Sequence, residues 1–229
     1  AAKQGSETPG SLDAMELQWA HDVLEAYFAA CIAPHPAVDK ARAGFEALPW
    51  DKGNQGLAPT PKSARGNSLV TVEQFEELAK QRRSVRFFDQ RPVPRELIDQ
   101  ALAIGGQAPT ACNRMPYEFR IYDDPEMVKA VAALPFGAAG YNHQIPALGV
   151  VVGELESYIS PRARHAIYVD SSLAAMSFMF ALETQGLSSS VINWPDFEPL
   201  EAKMQKLLGL DLSQRVVMLI AFGYANPEA

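Results

Sequence analysis

The residues with the most capacity for chemistry lie in one run, Arg82-Arg83-Ser84-Val85-Arg86-Phe87-Phe88. Val85, Phe87 and Phe88 favour an extended backbone, and such a backbone sends alternate side chains to opposite faces. Arg82, Ser84 and Arg86 then share a face, and two guanidinium forks flanking a hydroxyl make a receptor for a phosphate dianion. Charge-assisted hydrogen bonds of this kind are worth roughly 1.5–3 kcal/mol each where water is excluded. As a helix, the run would still align Arg82 with Arg86 but turn Ser84 away. The competing reading is an exposed basic cluster paired with acids such as Glu76 and Asp89, which would contribute little.

Other chemistry finds no basis in the chain. It contains no G-x-G-x-x-G, G-x-x-x-x-G-K, G-x-S-x-G or H-E-x-x-H pattern, so hydrolase and NTPase readings lose their usual support. His21, His35, His143 and His165 are scattered without ligand spacing, and no metal site is expected. Cys31 and Cys112 are too few for a disulfide framework; both read as free thiols, which points to a reducing cytoplasm. Twenty Lys and Arg against twenty-seven Asp and Glu leave a net charge of −7, which argues against nucleic acid or anionic lipid as a partner. The longest uninterrupted apolar stretch, residues 145–152, falls well short of the roughly 20 residues that cross a bilayer, so no membrane partner is expected. Residues 1–10 carry neither an initiator Met nor a signal pattern, and processing at the start is expected.

The elements that must hold the arginine run divide in texture. Gly53, Gly56, Pro59, Pro61 and Gly66 interrupt residues 51–67, which read as a linker. Before it, Asp13 can cap a helix over 14–33 and a second short helix can run over 38–48, so residues 1–67 form a helical N-terminal extension and linker. After it, Thr71 and Gln74 form a capping box that opens a helix through Lys80. Pro94 starts another helix, which Gly105 and Gly106 terminate. Residues 117–122 read as a strand with one wet face, and 147–152 and 215–224 as buried strands. Between the buried strands, residues 162–185 form a long helix, apolar on nearly every side from 173 to 182, which must be covered all round. Strands and helices without βαβ repetition make residues 68–229 an α+β domain.

A second motif sharpens the first. Pro109-Thr110-Ala111-Cys112-Asn113 is a loop between the Gly105-Gly106 helix end and the aromatic strand beginning at Tyr117. Together with Arg82 to Phe87, the long apolar helix, the Gln185-Gly186-Leu187 exit and the final Phe222-Gly223-Tyr224, it resembles the FMN-dependent nitroreductase family over roughly residues 72–224. The resemblance implies a central, mostly antiparallel sheet flanked by helices, and a homodimer with two FMN sites at its interface, each lined by both chains. Arg82, Ser84 and Arg86, with Arg83 between them, match the residues that hold the phosphate and ribityl chain. Pro109, Thr110, Ala111 and Asn113 match the loop that one subunit lends to the flavin of the other. Asn142 lies where the family places a side chain against the flavin pyrimidine, and Val191, Ile192 and Asn193 match the stretch that covers one flavin face and offers a backbone N–H to N5.

Three features depart from the family pattern. Trp194 replaces a usual small residue and would line the cavity or pack the subunit edge. No Lys or Arg follows Tyr224, where a basic pair usually closes the phosphate site, so weaker FMN binding is expected. Residues 1–67 have no counterpart in compact members. The activity implied is ping-pong transfer from NADH or NADPH to a small-molecule electron acceptor, a nitroaromatic or quinone, with no catalytic side chain required. The alternatives are a flavin-binding sensing or structural protein with a blocked site, and a dehalogenase-like relative, although no Glu, Tyr and Lys lid for iodotyrosine is visible.

Overall fold

A computed structural model describes residues 14–50 and 53–228. The expectations for residues 1–10 and for an Asp13 cap lie outside the described residues. The chain divides into two compact units, Ala1–Leu69 and Val70–Ala229.

The first unit is a helical hairpin, α1 (Ala14–Ala30) and α2 (Pro36–Glu46). Pro36 opens α2 at its first turn, where a missing N–H costs nothing, and the His35 ring accepts the Ala37 N–H. Phe28, Phe45, Trp50 and the His21 ring pack together with centroids 4.8–5.5 Å apart. Asp22, fully buried, accepts the backbone N–H groups of Gln55 and Leu57 at 2.9 Å each. Its carboxylate therefore fixes the start of the stretch that reads as a linker in the sequence.

The second unit is three layers. Its sheet is antiparallel in the order β1 (Tyr117–Tyr122), β2 (Ala147–Glu154), β4 (Gln214–Gly223), β3 (Ser188–Asn193). Central β2 is apolar on both faces because both are covered. Leu148, Val150 and Val152 meet α5 (Pro125–Ala132) and α7 (Glu198–Leu208), whereas Ala147 and Val151 meet α4 (Arg95–Gly105) and α6 (Ala166–Thr184). The Thr71–Gln74 capping box opens α3 (Val72–Gln81), and both of its reciprocal hydrogen bonds are present. Helices α5 and α7 have no counterpart in the sequence reading. Asp124 caps the first, and Gly209, at φ 62°, ends the second in a left-handed turn.

Three local differences from expectation have physical causes. Helix α4 ends at Gly105 and Gly106 as expected, but without a left-handed glycine: Gly106 has φ −65°, and Gly105 sits where a Cβ would come within 3.3 Å of the Ala174 carbonyl oxygen, so it serves close α4–α6 packing. Residues 84–88 do not form a full strand, because they step round the end of β3. Ser84 bridges Ser189 in parallel and Phe88 bridges Ala225 in antiparallel sense. Finally, α6 is not covered all round by its own unit. Tyr168, Val169, Leu173 and Met176 leave 36–53% of their surface exposed along one stripe. Residues Pro161–Thr184 are long and apolar enough to cross a membrane by length and composition, yet over half of the most apolar stretch within them is buried inside the unit, as in a core helix.

Candidate flavin site

Arg82 is the C-cap of α3, its N–H bonded to the Leu78 carbonyl. From there the chain leaves the helix extended. The Val85 N–H donates to Ser189 O at 3.1 Å and the Asp89 N–H to Tyr224 O at 2.9 Å, while Phe88 is buried in the core as an anchor. These contacts hold the intervening side chains on the outer edge of β3. Arg83 folds back, donating to the Arg82 carbonyl at 2.9 Å and so helping to close the helix end. The side chains of Arg82, Ser84 and Arg86 make no hydrogen bond and no ion pair within 4.0 Å among the described residues. The Arg86 guanidinium lies 6.0 Å from the Tyr141 ring centroid. Burial raises the Glu183 carboxyl pKa, and the charge of Arg82 opposes that shift. Two uncommitted guanidinium groups and a free hydroxyl on one edge are what an anionic group needs, so the residues present fit the phosphate end of FMN.

Of the other residues singled out in the sequence, Asn142 lies toward this end of the sheet, whereas Val191 to Asn193 run away from it along β3. Asn142 begins a 3-10 turn directly after Tyr141. Val191 and Asn193 point outward from β3, whereas Ile192 is 1% exposed and packs in the core, so only its backbone is available to a ligand. Beyond Ser189 no strand among the described residues pairs the outer side of β3. A groove of about 540 Å³ lies between α3 and the end of α6, but Glu77, Glu183, Gln74 and Gln81 line it. Those carboxylates suit it poorly to a phosphate. Trp194 lines no part of this edge; it is 8% exposed and donates its indole N–H to Glu201 on α7.

The loop carrying Pro109, Thr110, Ala111 and Asn113 lies elsewhere. Residues Ala111–Asn113 form a 3-10 turn in which Cys112 (φ 56°) and Asn113 (φ 53°) are left-handed, as is Met115 (φ 47°). Asn tolerates that region, but Cys and Met carry strain of about 1–3 kcal/mol each there. Met115 N–H donates to Thr110 Oγ1 at 3.1 Å, and Ala111 N–H donates to Asp170 Oδ2 at 2.9 Å. Tyr158 donates its hydroxyl to the same Asp170 oxygen at 2.8 Å. Burial first, then the hydrogen bond and charge of Asp170, push the Tyr158 phenol up to about 12. Asp170 belongs to the first half of α6 and Glu183, beside Arg82, to its last turn. Thirteen residues at 1.5 Å each separate them by about 20 Å. One chain thus holds Arg82, Ser84, Arg86, Asn142 and the start of β3 toward one end, and the Pro109–Asn113 loop toward the other. Asp170, Tyr158 and Glu183 are absent from the sequence reading; the one signal was a lone Asp in an apolar helix.

A model of the nitroreductase family matches residues 79–146 and 143–224. Iodotyrosine deiodinase 1 of Mus musculus is 38% identical over 216 residues, covering 80% of this chain and 75% of that one. A protein of Archaeoglobus fulgidus named as an NADH dehydrogenase/NAD(P)H nitroreductase is 27% identical over 161 residues, covering 69% of this chain and 88% of its own. An FMN-dependent nitroreductase of Clostridium difficile superposes with a TM-score of 0.60 at 21% identity, over 66% of this chain and 88% of that one, and so shares the fold.

Proposed function

The chain belongs to the nitroreductase family, an oxidoreductase family, and we propose that it is an FMN-dependent NAD(P)H oxidoreductase acting on nitroaromatic or quinone-like acceptors. The observation that carries this is the pair of uncommitted guanidinium groups, Arg82 and Arg86, with Ser84 between them on the outer edge of β3. FMN, when bound, would supply the redox chemistry, hydride transfer between NADH or NADPH and the acceptor in a ping-pong sequence. The protein's part is placement. Arg82, Arg86 and Ser84 bind the phosphate, Arg83 fixes the end of α3 from which they project, and Val191 to Asn193 offer backbone groups to the ring edge, with Asn142 on the pyrimidine side.

The functional unit is a homodimer. The exposed stripe Tyr168, Val169, Leu173 and Met176 is an apolar face of the kind that a second copy covers. Packing two α6 helices antiparallel would carry the partner's loop, about 20 Å away within one chain, to the end where Arg82 lies. There Pro109, Thr110, Ala111 and Asn113 would close the flavin from water. The two thiols, Cys31 and Cys112, both free, support a cytoplasmic setting.

Purified protein should be yellow and should bleach anaerobically with NADH or NADPH. A colourless protein that added FMN cannot restore would sink the proposal.

One further reading has a specific observation behind it, the 38% identity to a mouse iodotyrosine deiodinase. In it the acceptor is a halogenated phenol rather than a nitroaromatic. Iodide release from iodotyrosine by the chemically reduced holoprotein, against nitroaromatic reduction under the same conditions, separates the two.

A further inference from the structure

Asp170 is the one charged group inside α6; Glu183, the helix's other acid, lies in its last turn. Its side chain is buried, in a residue only 4% exposed, and an ionised carboxylate taken out of water is costly unless hydrogen bonds replace its hydration. Those bonds come from outside the helix. One oxygen, Oδ2, accepts both the Ala111 N–H and the Tyr158 O–H, and the same hydroxyl also lies 3.3 Å from the Ala111 carbonyl. An apolar side chain here would leave the Ala111 N–H and the Tyr158 O–H without this acceptor. The carboxylate thereby holds the residue that leads into a turn in which Cys112, Asn113 and Met115 are all left-handed. A strained backbone persists only where its surroundings fix it. Here the fixings sit at Thr110 and Ala111, immediately before the strained residues.

We propose that Asp170, itself oriented by Tyr158, is a positioning residue that sets the loop 109–115 in the form that meets the flavin. The proposal rests on the flavin assignment above.

The test uses the full-length protein with Asp170→Asn and Tyr158→Phe. Asn keeps the shape but loses the charge, and Phe keeps the ring but loses the hydroxyl. Hydrogen exchange of residues 107–117 in the FMN-free protein reads the loop, FMN titration by fluorescence quenching reads the site, and the thermal midpoint reads the fold. In Asp170→Asn, loop exchange should accelerate at least tenfold and the FMN Kd should rise at least tenfold, while the midpoint moves by only a few degrees. Tyr158→Phe should shift exchange and affinity in the same direction, about threefold each. Should Asp170→Asn fail to fold, Tyr158→Phe decides. Unchanged loop exchange overturns the proposal, as does faster exchange with unchanged FMN affinity, which would leave Asp170 a structural contact only. Wild-type protein that takes up no FMN overturns the flavin assignment and this proposal with it, a result distinct from unchanged affinity in variants of a protein that binds.

Discussion

Trp194 donates its indole N–H to the Glu201 carboxylate seven residues later, tying the end of β3 to α7, and the ring belongs to the core on that side of the sheet. Glu201 Oε1 is buried without a partner, so the indole is the side-chain donor on which the carboxylate depends. Trp194→Phe should therefore cost about 1–3 kcal/mol of stability, which for a chain of this size is a midpoint several degrees lower. The KM for a nitroaromatic should stay where it is. A severalfold change in KM with an unaltered thermal melt would place the indole in the substrate cavity instead.

Gly153 faces Ile167 so closely that a Cβ on it would sit 2.8 Å from the Ile167 Cβ and 2.9 Å from Cδ1. The contact seats the start of α6 on the end of β2. Gly153→Ala should destabilise by about 1–3 kcal/mol through overpacking, and adding Ile167→Val should recover part of the loss. Thermal melts of the single and double variants check this; additive losses would show that the two positions are not coupled.

Much of this architecture is legible in the sequence wherever the signal is local. Thr71 with Gln74 announces the start of α3, and the wholly apolar run of β2 announces a strand covered on both faces. The missed features depend on distant partners. Residues 53–57 look like linker because what holds them is their backbone N–H groups on Asp22, and backbone donors leave no mark in residue type. Gly105 and Gly106 do end α4, as residue type announces, but that Gly105 also lets α4 approach Ala174 and Phe178 is not visible in the sequence. At the candidate site the extended path of residues 84–88 is readable from residue type, although it makes only two isolated bridges. The Asp170 anchor is not, because it joins residues 59 positions apart.

The Tyr158 phenol gives a pH signature. Its pKa rises from 10.0 to about 12 in the folded protein, so the fold favours the neutral, hydrogen-donating form. That contribution is fully present below pH 10 and is lost as pH climbs through about 12. Subtracting the tyrosinate absorbance titration of Tyr158→Phe from that of wild type should leave one phenol ionising near the upper value. A difference curve centred near 10 would mean that the hydroxyl is not bonded to Asp170.

Asp22 has the opposite sign. Burial works against its charge, but hydrogen bonds from His21, Leu57, Gln18 and Gln55 prevail and hold the carboxyl well below its ordinary value of 3.8. The fold favours the ionised form, so its contribution is present above about pH 4 and falls away as acid approaches the lowered pKa. Amide protection at Gln55 and Leu57 should survive from neutral pH down to that point and then decline, and Asp22→Ala should abolish it at every pH. Protection that persists in Asp22→Ala would mean that the 53–57 stretch is held by something else.

The most direct measurement compares the affinities for FMN and riboflavin, which differ only in the phosphate. Wild-type protein should bind FMN at least a hundredfold more tightly than riboflavin, since two guanidinium groups contribute roughly 1.5–3 kcal/mol each. Arg82→Ala combined with Arg86→Ala should bring the ratio close to one while leaving riboflavin binding little changed. Equal affinities in the wild type, or a preference for FMN that survives loss of both arginines, would contradict the assignment of this edge as the phosphate site.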